Sequence, residues 1–267
     1  NAGIAAFRAK TPPHILQVFE VGTATMMAAK GAVKPVYEVM KESGLPFDPK
    51  IYLPTVTGYY TTTDGRMISM PFNSSTPVLY YNVDMFKKAG LDPEKPPLTW
   101  LTMGTVAKRL VEAGVSKAGF SSAWNGWIHI ENLSAWHNVP IGTKANGFGG
   151  LDAAYTFNGP VQVKHIQQLA DWQKDNVFVY GGRTNVGNAK FSSGEVAMYT
   201  ESSAGYAGFK KTCQFEFRTS MLPYWPDVKG APQNTIIGGA SLWVLKGHKP
   251  DAYKGVAAFF NYLSRPE

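Results

Sequence analysis

A single cysteine, Cys213, stands in a chain of 267 residues. That excludes an internal disulfide and any cysteine-rich zinc site. Long apolar runs are missing too: none approaches the ~18 consecutive residues of a membrane-spanning helix. The first residues show no basic end, apolar stretch and small-residue cleavage site in succession. Runs of one charge sign are also absent. The 26 Lys+Arg exceed the 19 Asp+Glu by a net +7, but they come as scattered pairs such as Lys87-Lys88, Lys108-Arg109 and Lys210-Lys211. Nucleic-acid arms carry like charges in blocks of about five or more, so the surplus reads as a basic surface that favours acidic surroundings or acidic ligands. There is no G-x-S-x-G elbow, no G-x-x-x-x-G-K-[ST] phosphate loop, no H-E-x-x-H and no G-x-G-x-x-G after a strand. Enzyme readings thereby lose most of their support.

What is present is enough apolar material, 44% hydrophobic and 13% aromatic residues, to bury the core of one large domain or two lobes. Periodicity and punctuation predict strands at His14 to Phe19, Met67 to Phe72, Val78 to Tyr81, Ala118 to Ser122, Glu195 to Thr200, Phe215 to Leu222 and Ile236 to Leu245. Between them fall helices: Ala2 to Lys10, one beginning near Thr25, Val36 to Ser43, Asp84 to Ala89, one capped by Thr99, Trp127 to Trp136, Val161 to Lys174 and Pro250 to Leu263. In the helix over Val161 to Lys174 the expected inward residues are Val163, Ile166, Leu169 and Ala170. Strands alternating with helices across short Gly/Pro/Asn breaks argue for an α/β fold. The first helix has no capping residue before it. The last carries an apolar face (Val256, Phe259, Phe260, Leu263) that needs a partner and stops at Arg265-Pro-Glu267. The expectation is an internal fragment, truncated at both ends.

Candidate site residues follow from placement. Glu20 comes after an apolar strand and opens a Gly/Thr turn, at the strand edge where ligands of open α/β sheets gather; the same position suits an acid favoured by a helix dipole. Glu131, within a helix, reads as structural. Trp124-Asn-Gly-Trp127 sets two indoles around a glycine on a loop that enters a helix. Such a pair serves equally as core or as a flat apolar platform for the C–H face of a polyol. Three Gly/Ser loops, Asn73-Ser-Ser-Thr76, Glu201-Ser-Ser-Ala-Gly205 and Gly238-Gly-Ala-Ser241, follow strands, and together they suggest a polar, phosphate-tolerant pocket. The five histidines form no convincing metal set, and His129 and His137, two helical turns apart, are too distant for one zinc-binding face.

Pro77-Val-Leu-Tyr-Tyr-Asn82, Phe86-Lys-Lys-Ala-Gly-Leu-Asp92 and Pro96-Pro-Leu-Thr-Trp100 resemble the signature of the family 1 extracellular solute-binding proteins of ABC importers. Phe191-Ser-Ser-Gly-Glu-Val-Ala-Met198 resembles that family's second signature. Within the family, Val18-Phe-Glu-Val-Gly-Thr-Ala-Thr-Met-Met27, Pro71-Phe-Asn-Ser-Ser-Thr-Pro77, Trp124-Asn-Gly-Trp127 and Ala231-Pro-Gln-Asn-Thr-Ile-Ile-Gly-Gly-Ala-Ser-Leu-Trp243 are similar to the members that capture sn-glycerol-3-phosphate. The resemblance covers essentially the whole chain.

It implies a two-lobed periplasmic-binding-protein fold of type II, with ligand enclosed in the interlobe cleft by hinge closure. Lobe one is expected over 1–76 and 224–267, lobe two over 77–223, both incomplete. The implied ligand is sn-glycerol-3-phosphate or a glycerophosphodiester such as glycerophosphocholine. The implied partners are ABC permease membrane subunits, with no cofactor, no metal, no nucleic acid and no catalysis. Glu20 would accept from glycerol hydroxyls and Trp124 and Trp127 would cover the carbon backbone. Ser75, Ser202 and the Gly239 N–H would donate to phosphate or hydroxyl oxygens. A tyrosine near the beginning of family members, and a tyrosine and an arginine toward their end, would also line the site; none falls between Asn1 and Glu267. A periplasmic location, with the secretory signal ahead of Asn1, is likewise implied. Two further readings remain: a receptor for a neutral oligosaccharide, which would keep the tryptophans without needing anion donors, and a glycosidase using Glu20 and Glu131 as its facing carboxylates.

Overall fold

A computed structural model describes residues 2–265 apart from residues 30, 63, 148 and 151. Among these, nine strands form: β1 (Ile15–Phe19), β2 (Val33–Lys34), β3 (Met70–Ser75), β4 (Pro77–Asn82), β5 (Ala118–Ser122), β6 (Phe178–Tyr180), β7 (Val196–Ser202), β8 (Phe217–Ser220) and β9 (Gly238–Leu245). The chain divides into two compact units, Asn1–Ser75 with Ile237–Glu267, and Thr76–Ile236.

In the first unit β9 is the strand to which β1, β2 and β3 all pair, each antiparallel. Its apolar residues Leu242 and Val244 pack with Met67 and Met70, with Val36, Val39 and Met40 of the helix Val36–Ser43, and with Val256, Ala257 and Phe260 of the helix Pro250–Leu263. The last helix therefore covers most of its apolar stripe within the unit. Phe259, also expected on that stripe, is exposed, and Pro266 and Glu267 lie outside the described residues.

The second unit is a five-stranded sheet in the order β6-β5-β7-β4-β8. β5 pairs parallel with β6 and β7, whereas β4 runs antiparallel to β7 and to β8. Strand alternation sends Leu79 and Tyr81 of β4 into one core and Tyr80 into the core on the other face. The first core is built with the helix Trp100–Glu112, capped at its N-terminus by reciprocal Thr99 and Thr102 bonds. That helix lies so close to β5 that a Cβ on Gly119 would meet the Ala107 backbone oxygen at 2.8 Å.

The structure departs from the sequence reading at definable places. Residues 73–75, expected as a loop, extend β3 around an irregularity between Pro71 and Asn73, and the strand begins at Met70 rather than Met67. β6 was not expected; its three residues give too short a period to detect. Trp127–Asn132 winds as a π-helix before a short α-helical end over Leu133–Trp136. In the helix Pro160–Lys174 the buried residues are Gln162, His165 and Leu169, while Val163 and Ile166 are exposed.

Residues 224–236, expected to return to the first lobe, are tied into the second unit. Trp100 N–H donates to Tyr224 O and Gln233 N–H to Trp136 O, Trp225 N–H donates to His137 Nε2, and Ile236 N–H donates to Asn132 Oδ1. Backbone donors that must be satisfied internally outweigh the break that Pro223 and Pro226 signal.

Candidate functional site

The first unit brings Glu20, Ser75 and Gly239 to one edge of its sheet. β1 and β3 both run antiparallel to β9, so their C-terminal ends flank its N-terminal end: Phe19 opposes Ala240, Ser74 opposes Gly239 and Ser75 opposes Gly238. Glu20 follows Phe19 directly and is 9% exposed, and its carbonyl accepts from the Tyr59 hydroxyl at 3.3 Å. Polar groups underlie this edge. Ser69 Oγ donates to Ser241 Oγ at 2.9 Å, and the Tyr60 hydroxyl is fully buried beside the Glu20 charge. Burial, reinforced by Glu20, pushes that phenol up to about 12, so it stays a neutral donor. Ser241 falls in one of the three Gly/Ser loops singled out from sequence, whereas Tyr60 and Ser69 were missed, because isolated hydroxyls carry no pattern along the chain.

In the second unit the parallel strands β5, β6 and β7 end at a common edge, where Trp124 sits in the loop after β5, Trp127 begins the π-helix that follows and Ser202 ends β7. This is the edge at which open α/β sheets bind ligands. The loop after β5 is fastened to the loop after β6: Trp124 N–H donates to Thr184 O at 2.8 Å, and Asn125 Nδ2 donates to Gly182 O at 3.2 Å. Trp124 and Thr184 both hold positive φ, 45° and 53°, a conformation that non-glycine residues adopt only where the surroundings enforce it. Trp100, Trp136, Trp225 and Trp243 are buried in the core, whereas Trp124 and Trp127 are only half-buried. The Trp127 indole N–H is nonetheless shielded from water and has no hydrogen-bond partner among the described residues.

Ser202 closes β7. Its Oγ accepts from Ala204 N–H at 3.2 Å, leaving its own O–H free to donate. Ser203 bonds twice to Thr76, through its amide at 2.8 Å and its Oγ at 3.2 Å, so the β4 entrance is held against this loop. Next to Ser202 lies the polar residue that sequence reading passed over, Glu201. Its strand turns polar over its last residues, Thr200-Glu-Ser202, and a carboxyl near a strand end looks like a solvated rim; instead it is 2% exposed. Burial pushes it up to about 7, opposed by the Ser202 amide and then by the Trp124 and Asn188 side chains.

Glu131 is on the π-helix of the second unit, where burial raises its carboxyl. Glu20 and Glu131, the candidate glycosidase pair, thus belong to different units. The histidines do come together, although not on one helix face. His129 Nδ1 and His165 Nε2 share a 2.9 Å hydrogen bond, and Trp225 Nε1 donates to His165 Nδ1 at 3.2 Å. That donation puts the His165 proton on Nε2, so His165 donates to His129 and His129 carries its proton on the unpartnered, buried Nε2. The 36-residue separation hid this pair. No group of three or more metal-ligating side chains occurs among the described residues.

The family model of bacterial extracellular solute-binding proteins matches residues 1–267. The chain is 56% identical over 267 residues to the sn-glycerol-3-phosphate-binding periplasmic protein UgpB of Pectobacterium atrosepticum, covering all of this chain and 60% of that protein. It is 53% identical over 268 residues to the protein of the same name from Salmonella typhimurium, covering 61% of it. The chain thus spans about 60% of the length of the curated relatives it matches. Among solved structures, UgpB from Mycobacterium tuberculosis in complex with glycerophosphocholine matches with a TM-score of 0.77 at 20% identity, over 97% of this chain and 64% of that one. An ABC substrate-binding protein from Listeria monocytogenes in complex with cycloalternan matches with a TM-score of 0.78 at 19% identity, over 99% and 64%. These likenesses establish the fold as that of two-lobed solute-binding proteins.

Proposed function

We propose, for a chain that belongs to the bacterial extracellular solute-binding protein family, that it forms the ligand-capturing part of an ABC importer's receptor. The receptor takes sn-glycerol-3-phosphate or a glycerophosphodiester such as glycerophosphocholine, works in the periplasm and hands its ligand to the membrane permease subunits. The observation that carries this reading is the second unit's ligand edge, where Trp124, which packs against the core of one sheet face, and Trp127 are both left half-buried at the strand edge that also holds Ser202. The curated relatives are named for sn-glycerol-3-phosphate.

The chemistry suits a polyol phosphate. Indole faces cover C–H groups, and the shielded Trp127 N–H is a donor that a ligand oxygen would satisfy. The Ser202 hydroxyl donates to phosphate or hydroxyl oxygens. From the first unit, Glu20 accepts from the glycerol hydroxyls, while Ser75 and the Gly239 N–H supply donors. Every role is one of binding and orientation, and no bond of the ligand is made or broken.

Calorimetric titration of the protein that carries this chain with sn-glycerol-3-phosphate, glycerophosphocholine and maltose tests the reading. Binding of either phosphate ester without binding of maltose is expected. Maltose binding with no response to the esters would establish the neutral-oligosaccharide receptor instead.

A further inference from the structure

Beside the tryptophan loop, β7 buries a carboxyl that the binding scheme above leaves unused. Glu201 Oε1 accepts from Ser202 N–H at 2.7 Å; Oε2 is shielded from water with no hydrogen-bond partner of good geometry. Groups from five directions enclose it. The Trp124 side chain reaches it from the loop after β5, and the Asn188 side chain from the helix Asn188–Ser192. Tyr199 of its own strand and Tyr80 of β4 both feel its charge. The Gly205 backbone presses on its stem, since a Cβ there would lie 3.0 Å from Glu201 Cγ.

No lysine, arginine or histidine is among the groups that act on it. Asn188 Oδ1 and the Tyr199 hydroxyl are themselves buried and unpartnered.

A carboxylate so enclosed has no counter-charge, and the neutral acid is the form that burial favours. Protonated, Oε2 becomes a donor, and Asn188 Oδ1 is an unpartnered acceptor on the same side of the sheet edge. An anion held by Ser202, the adjacent residue whose amide already binds this carboxyl, would oppose a charge on Glu201 further, because like charges repel strongly where water does not screen them.

We propose that Glu201 is a proton-carrying positioning residue of the phosphate-ester site: its carboxyl takes up a proton from solvent when an anion is held at Ser202 and releases it when the anion leaves. The inference rests on the proposed function. It makes ligand capture proton-linked, and it makes the Trp124 indole a reporter of the proton.

Glycerophosphocholine is the suitable probe, since a phosphodiester has no group of its own titrating near neutrality. Calorimetry in buffers of different ionisation enthalpy is expected to show uptake of part of a proton near pH 7. The affinity is expected to fall about three- to tenfold between about pH 6 and about pH 8.5. Glu201→Gln, a neutral isostere, should bind at the upper pH as tightly as the wild type does at the lower, with neither slope nor uptake. A flat wild-type profile, or a slope that survives in Glu201→Gln, overturns the proposal, and the wild-type arm decides even if the variant fails to fold. If glycerophosphocholine binds at no pH, the proposed function fails separately. The Glu201–Trp124 coupling is then judged without ligand. The fluorescence difference between wild type and Trp124→Phe should step near neutral pH and lose the step in Glu201→Gln; absence of the step overturns the coupling as well.

Discussion

A Cβ built on Gly239 would stand 2.2 Å from the carbonyl oxygen of Asn73, across the β3–β9 pairing. Gly239 also holds φ at +115°, and the irregularity between Pro71 and Asn73 lets β3 close against it. Both the approach and the dihedral need the absence of a side chain. This pair fixes the backbone beside Ser75 and Glu20.

Gly239→Ala is therefore expected to destabilise the protein by about 2 kcal/mol or more, as a substitution at a positive-φ site with no space for a methyl group. The midpoint of urea unfolding measures it. An unchanged midpoint would show that the β3 irregularity yields freely.

Replacing Trp124 or Trp127 by Ala should weaken phosphate-ester binding by about 1–3 kcal/mol with little loss of stability, because a half-buried stacking surface is removed rather than core. Trp225→Ala should do the reverse. Its indole is buried and donates to His165, so about 3–5 kcal/mol of stability should go while affinity per folded molecule stays. Calorimetry paired with denaturant unfolding separates the two cases.

Glu20→Gln should weaken binding by about 1.5–3 kcal/mol, the difference between a charged and a neutral acceptor for ligand hydroxyls. Tyr60→Phe, which deletes only the buried hydroxyl near Glu20, should cost much less. Equal affinities for Glu20→Gln and wild type in calorimetry would remove Glu20 from the site.

Acid stability should be governed by the buried histidines. Burial pulls His129 from its ordinary 6.5 down to about 3, burial also holds His165 well below that ordinary value, and His137 is lowered chiefly by burial. The unfolded chain takes up protons below about pH 6.5 that the folded chain refuses. Stability present above that pH is thus lost as the pH falls toward the folded-state values, by up to about 1.4 kcal/mol per pH unit for each histidine. Glu201 acts with the opposite sign: its raised folded-state value adds stability below the unfolded carboxyl's range, lost as pH rises toward 7. With three histidines against two carboxyls, Glu201 and Glu131, the latter also raised by burial, the unfolding free energy should decline from about pH 6.5 to about pH 4.5. A profile that is level across that interval in urea titrations would contradict the neutral His129–His165 pair.

The α/β class, the boundaries of Val36–Ser43 and the capped helix from Trp100, and the family itself were legible in the residues, because local periodicity, caps and contiguous signatures are properties of neighbouring positions. So was the position of Trp124 on a loop that enters a helix at Trp127. What places that loop is two hydrogen bonds to a loop some sixty residues later, Trp124 N–H to Thr184 O and Asn125 Nδ2 to Gly182 O, with Trp124 half-buried against the core of one sheet face. The same limit hid Glu201, Tyr60 and the His129–His165 pair: each looks ordinary along the chain and becomes unusual only when strands and helices distant in sequence close over it. Residues 224–236 show the converse, since the prolines were read as the return to the first lobe but lie within the second unit. Short-range order is written in spacing; desolvation, charge coupling and hydrogen-bond satisfaction depend on which distant groups arrive, and only the tertiary structure supplies those.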